Sequence, residues 1–192
     1  MQKRDVLKHV GIVAILSICL SVGLNILLLL INLPQYSELY QEASAILYTP
    51  PFWQQLLSSG LLIPIVEEVV FRGIVFRLLR RWTSFHCAML LSALVFGAYH
   101  GNLVQFVYAT LCGVLLAYLC EKYQTILVSI LSHMAMNIGA IVFTQLGVFA
   151  TIMNSGMLAV LMIVLCGISG MLIFLRIQKM DVTKVLKICC KE

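Results

Sequence analysis

Long apolar runs, separated by short polar stretches, dominate the chain. A helix that crosses a membrane needs about 20 consecutive, mostly apolar residues, and the runs are of roughly that length. They predict six spans, at residues 10–31, 56–79, 85–102, 103–120, 124–146 and 157–176. We therefore expect an all-α fold, a polytopic transmembrane helix bundle in which residues 1–192 form a single membrane domain.

Composition supports a membrane location. Hydrophobic residues make up 61% of the chain and charged residues 11%, and the mean hydropathy is +1.02. A soluble domain is about 45–50% apolar and about 25% charged. The net charge of +5 does not indicate nucleic acid as a partner, because the basic residues do not form the surface patch that nucleic-acid binding requires. The expected surroundings are the lipid bilayer.

Basic residues mark the orientation of the chain instead. The loop at 32–52 carries Glu38 and Glu42 but no lysine or arginine. An excess of basic residues identifies the cytoplasmic side, so we expect a multi-pass cell-membrane protein with both termini in the cytoplasm. Prolines and aromatic residues at 34–53 indicate an interfacial loop. Every basic residue except Arg72 falls on the predicted cytoplasmic side, namely Lys3, Arg4, Lys8, Arg77, Arg80, Arg81, Lys122, Arg176, Lys179, Lys184, Lys187 and Lys191.

Two adjacent carboxylates, Glu67 and Glu68, lie inside the second apolar run. An ionisable group at that depth costs a few kcal/mol, so it indicates a functional site. Residues four apart share a helix face, so Glu68 can pair with Arg72, while Glu67 points about 100° away. A carboxylate neutralised by a guanidinium is a poor base, and we assign Glu67 as general base and Glu68–Arg72 as a supporting pair. Alternatively, both carboxylates only brace the bundle, although one arginine needs only one acid.

Two further pairs of polar or aromatic residues lie within apolar runs. Phe96 and His100 are four residues apart, as are His133 and Asn137. A lone helical histidine is more often a core residue than a catalyst. Here, however, the glutamates, the histidines and the asparagine come from three different spans that contain few other ionisable groups. Polar residues at membrane depth face the bundle interior or a wet cavity, so we expect them to converge.

These residues resemble a known family. Glu67-Glu68-x-x-x-Arg72-Gly73, Phe96-x-x-x-His100 and His133-x-x-x-Asn137, in this order, are similar to the motifs of the CPBP family. This family comprises CAAX proteases and bacteriocin-processing intramembrane proteases and is also called the Abi family. The resemblance implies a catalytic core at 56–146 that hydrolyses a peptide bond within the membrane. Its substrate would be a peptide or protein, including prenylated or leader-bearing ones.

The resemblance also implies roles for the individual residues. Glu67 with His100 would hold and deprotonate a water, while His133 and Asn137 would donate hydrogen bonds to the oxyanion. Family members have also been described as metalloproteases, in which case Glu68, His100 and His133 are the candidate zinc ligands. The chain lacks the HExxH pattern of the usual zinc site, and an uncharged asparagine suits an oxyanion hole better. We therefore favour the glutamate mechanism and expect no cofactor.

Other intramembrane protease mechanisms fit the chain less well. Residues 167–170 have the GxSG form of the rhomboid nucleophile, but no histidine follows His133. An aspartyl mechanism needs two intramembrane aspartates, whereas Asp5 and Asp181 are predicted to be cytoplasmic. A non-enzymatic bacteriocin self-immunity or scaffold protein is the alternative from another class, although binding alone would not require this set of residues. The helix directions place the site at mid-membrane or in the outer half of the bilayer.

Overall fold

The computed structural model describes residues 2–182, with side chains from Leu7 onward. The predicted basic residues Lys184, Lys187 and Lys191 lie outside this range. The described chain is helical and contains no strand. Its helices are α1 (Gln2–Leu30), α2 (Glu38–Tyr48), α3 (52–82), α4 (Phe85–Tyr99), α5 (Leu103–Tyr123), α6 (Ile126–Gln145), α7 (Val148–Met153) and α8 (Gly156–Lys179), with a 3₁₀ turn at Leu33–Tyr36.

The all-α membrane bundle is confirmed, and each of the six predicted apolar runs forms a helix. Four helices, α1, α5, α6 and α8, are long and apolar enough to cross a membrane. Helix α4 is apolar but has only 15 residues, roughly 22 Å at 1.5 Å per residue. Gly101, with φ +72°, separates it from α5. The crossings by α3 and α4 stay a prediction.

One prediction about a loop is wrong. The segment at 34–53, expected to be an interfacial loop, contains the 11-residue helix α2. Ser37 caps this helix, because its side chain accepts a hydrogen bond from the backbone N–H of Tyr40, and Glu38 follows in the first turn. The prolines that suggested a loop stand outside the helix, and Pro50 and Pro51 follow its end. The short helix α7 was also not predicted.

Helices α4 and α5 pack closely at two glycines near the centre of the bundle. A Cβ at Gly97 would lie 2.7 Å from the backbone oxygen of Phe106, so only glycine permits this approach. At Gly113, a Cβ would lie 3.1 Å from Nη2 of Arg72 and 3.2 Å from Cα of Ala93. Helix α5 therefore contacts both α3 and α4 where the predicted site residues lie.

Candidate active site

The two glutamates lie in a regular turn of α3 between two widened ones. The turns at Leu56–Leu62 and Val69–Phe76 are wound as π-helix, in which an N–H bonds to the carbonyl five residues earlier, while Ile63–Glu68 is α-helical. Widened turns leave carbonyls available for other partners and occur often at functional sites. The wide turns thus flank the segment that carries Glu67 and Glu68.

Pro64 explains how α6 is attached to the first wide turn. The backbone N–H of Ile63 bonds to the carbonyl of Ser58, five residues earlier. The next bond of this register would run from residue 64 to the carbonyl of Ser59, but proline has no N–H. Nδ2 of Asn137 donates to that carbonyl instead, at 2.9 Å. The missing helix bond therefore fixes one side of the Asn137 amide, and its second N–H remains available.

A buried ion pair lies behind the glutamate turn. Nη1 of Arg72 donates to Oε1 of Glu68 at 2.8 Å, and both side chains are 0% exposed. Nη2 of Arg72 donates to the carbonyl of Gly113 at 3.2 Å, and the guanidinium lies 4.4 Å from the ring centre of Phe96. The pair predicted from the four-residue spacing is thus present, and a buried charge of this kind needs such partners.

His133 connects the two glutamates. Its Nδ1 lies 2.9 Å from Oε1 of Glu68, and its Nε2 lies 3.7 Å from Oε2 of Glu67. Because a carboxylate paired with a guanidinium only accepts hydrogen bonds, Nδ1 of His133 carries a proton. Nε2 is consequently the nitrogen that faces Glu67. The sequence placed Glu67 away from any local cation, and this contact with α6 was not predicted.

His100 is oriented in a similar manner. Its Nδ1 lies 2.9 Å from the backbone carbonyl of Phe96, which can only accept, so Nδ1 carries the proton. The Phe96 ring packs edge-on against both imidazoles, with ring centres 5.0 Å from His100 and 5.7 Å from His133. Both histidines therefore have a fixed Nδ1 and an Nε2 that no described side chain occupies with a close hydrogen bond.

One cavity of about 680 Å³ brings the predicted residues together. Glu67, His100, His133 and Asn137 all line it, whereas Glu68 and Arg72 are buried behind its wall. Glu67 and His133 keep 12% and 9% of their side-chain surface exposed. Four of the six predicted site residues can therefore contact a molecule in the cavity, and the other two lie behind its wall, where Glu68 contacts His133.

The cavity also has lining residues that the sequence analysis did not single out. Helix α2 covers part of it, and α1 and α5 contribute amide and hydroxyl groups. A polar residue within an apolar run was the available signal for Asn25. The residues missed are Asn25, Tyr40, Ser44, Tyr48, Gln105, Tyr108 and Thr144.

The zinc set named from the sequence does not fit this geometry. Oε1 of Glu68 already accepts from Arg72 and His133, and the side chain does not reach the cavity. His133 faces Glu68 with the protonated Nδ1, so only its Nε2 could ligate a metal. Among residues 2–182 no group of three or more histidine, cysteine, aspartate or glutamate side chains is arranged to hold a metal ion. A mechanism without a metal stays a prediction.

Comparison with known proteins assigns the central part of the chain. Residues 49–139 match a family described as type II CAAX prenyl endopeptidase Rce1-like. This segment is similar to that family over slightly less than half of the chain. The matched residues include all three motifs, from Glu67 to Asn137, so the resemblance to CPBP proteases is confirmed. Helices α1, α2, α7 and α8 lie outside the Rce1-like match.

A relative supports the same assignment over part of its length. A protein of Bacillus subtilis (strain 168) named "Putative membrane peptidase YdiL" is 35% identical over 82 residues. The alignment covers 43% of this chain and 34% of that protein, so the chain matches about a third of the relative's length. No solved structure matches the chain.

Proposed function

We propose that this chain is an intramembrane endopeptidase that hydrolyses a peptide bond with a water activated by Glu67 and His100. The observation that carries the proposal is the shared cavity, in which four polar side chains from α3, α4 and α6 meet inside an apolar bundle. A general base speeds the hydrolysis of an amide by taking a proton from the water, and hydrogen-bond donors speed it by stabilising the oxyanion. The Rce1-like match and the peptidase relative support the same reaction class.

The proposed steps use only groups of this chain. Glu67, assisted by Nε2 of His100, takes a proton from the water as its oxygen attacks the substrate carbonyl. The tetrahedral intermediate then carries a negative oxygen. Glu67 returns the proton to the amide nitrogen as the C–N bond breaks, so that one water and one peptide give a carboxylic acid and an amine.

Asn137 and His133 have distinct roles in this scheme. The second N–H of Asn137 donates to the oxyanion, while the first stays on the carbonyl of Ser59. His133 can donate from Nε2 only as an imidazolium, because a neutral ring already uses its proton on Glu68. Glu68 lies at Nδ1 of that ring and Glu67 lies 3.7 Å from its Nε2. Glu68 and Arg72 are thus positioning residues that hold His133.

The test replaces the proposed base. The full chain is reconstituted in liposomes with two fluorogenic peptides, one ending in a farnesylated CAAX sequence and one carrying a double-glycine leader. We expect the wild type to cleave at least one, and Glu67→Gln to lower the rate about 10²–10⁴-fold, as loss of a general base does. Glu121→Gln is the matched control. It makes the same chemical change at a glutamate that pairs with Arg80, near the C-terminal end of α3 and outside the cavity. Equal rates for wild type and Glu67→Gln would refute the assignment.

A further inference from the structure

Asn25 brings a polar group into the cavity from outside the Rce1-like match. It lies on α1, and its Nδ2 donates to the backbone carbonyl of Ser21 at 2.8 Å. Its amide also interacts with the hydroxyl of Tyr108, and its Oδ1 is not among the buried atoms without a partner. Because Asn25 lines the cavity, its accessible oxygen is an acceptor presented to whatever the cavity holds.

Gln105 supplies the complementary donor from α5. Asn102 caps this helix through Oδ1, and its Nδ2 donates to Oε1 of Gln105 at 2.5 Å. The amide of Gln105 is therefore fixed with its oxygen on Asn102 and its Nε2 free to donate. The same Nδ2 of Asn102 also donates to the carbonyl of His100 at 3.2 Å. Asn102 therefore connects Gln105 to a predicted catalytic residue.

Tyr108 lies between the helix positions of Gln105 and Asn25. It lies three residues after Gln105, on the same face of α5. Its hydroxyl is 2.7 Å from Oγ of Ser21, which in turn donates to the carbonyl of Met136 at 3.2 Å. Asn25 follows Ser21 by one turn of α1, so both amides line the cavity within about a turn of the same tyrosine.

We propose that Asn25 and Gln105 form a subsite for the backbone of the bound peptide, next to the bond that is cut. Oδ1 of Asn25 accepts a substrate N–H, and Nε2 of Gln105 donates to a substrate carbonyl. An acceptor and a donor that line one cavity match the two polar groups of a peptide unit, and polar groups inside an apolar bundle need such partners. This inference rests on the proposed function for the identity of the ligand as a peptide.

The test measures binding without cleavage. In the Glu67→Gln background, fluorescein-labelled copies of the two peptides are titrated with reconstituted protein and followed by fluorescence anisotropy. We expect Asn25→Leu and Gln105→Leu each to raise Kd about five- to tenfold, the effect of one hydrogen bond. Asn154→Leu, at an exposed position after α7, is the matched control and should leave Kd unchanged. Circular dichroism melting checks that each variant is folded.

A peptide series separates contact from an indirect structural effect. Single N-methylation removes one backbone N–H at a time, and one position should weaken binding to the parent protein. That N-methyl group should cost nothing further in Asn25→Leu, because the contact is already absent. Additive losses, unchanged Kd in both leucine variants, or no peptide binding to the parent would overturn the subsite. Cleavage by Glu67→Gln would overturn the proposed mechanism while the binding result still stands.

Discussion

Replacing Arg72 with alanine tests the buried ion pair from which His133 is oriented. The change leaves Glu68 inside the bundle without its guanidinium partner, while the hydrogen bond from His133 remains. Breaking one side of a buried pair costs about 3–5 kcal/mol. The lost contact with the Phe96 ring costs roughly a further 0.5–2 kcal/mol. We therefore expect the free energy of unfolding to fall by about 3.5–7 kcal/mol.

Unfolding in mixed detergent micelles, with the fraction of SDS as denaturant and tryptophan fluorescence as signal, measures this change. Arg80→Ala is the matched control, because the Arg80–Glu121 pair is about a third exposed and worth about 0–1 kcal/mol. Adding Glu68→Gln to Arg72→Ala should recover part of the loss, since no charge is then stranded. Equal destabilisation by Arg72→Ala and Arg80→Ala would show that the buried pair does not carry the energy argued here.

The remaining predictions concern the metal, the proline turn and the topology. Purified active protein should contain no stoichiometric zinc and should keep its activity in a strong chelator; one zinc per chain, lost and restored together with activity, would contradict the glutamate mechanism. Asn137→Leu should destabilise the fold by about 1–3 kcal/mol, because it leaves the carbonyl of Ser59 without a donor, and should cost less in a Pro64→Ala background, where residue 64 regains an N–H; equal costs in both backgrounds would exclude the proposed tether. Cysteines at Tyr36 and Leu103, both exposed, should react with an impermeant thiol reagent in intact cells; labelling only after lysis would reverse the predicted orientation.

The sequence predicted the six long apolar helices because the length of an apolar run is a local property, but it missed the shorter helices α2 and α7. It also predicted the pairing of Glu68 with Arg72, which depends only on a four-residue spacing within one helix. The link from Glu68 to His133 joins two helices, and no local pattern states which nitrogen faces which carboxylate. Likewise, Pro64 was visible in the chain, but its effect on Asn137 depends on a wide turn that the sequence does not specify.

The proposed chemistry and the roof of the cavity come from separate stretches of chain. Glu67, His100, His133 and Asn137 lie within 49–139, whereas α2 precedes that segment and has no fully buried residue. Because α2 buries so little surface, its sequence can be replaced without changing the packing of the other helices. Under the proposed function, we expect a different sequence grafted onto 38–48 to change which peptides the cavity admits, while the residues proposed for hydrolysis stay in place.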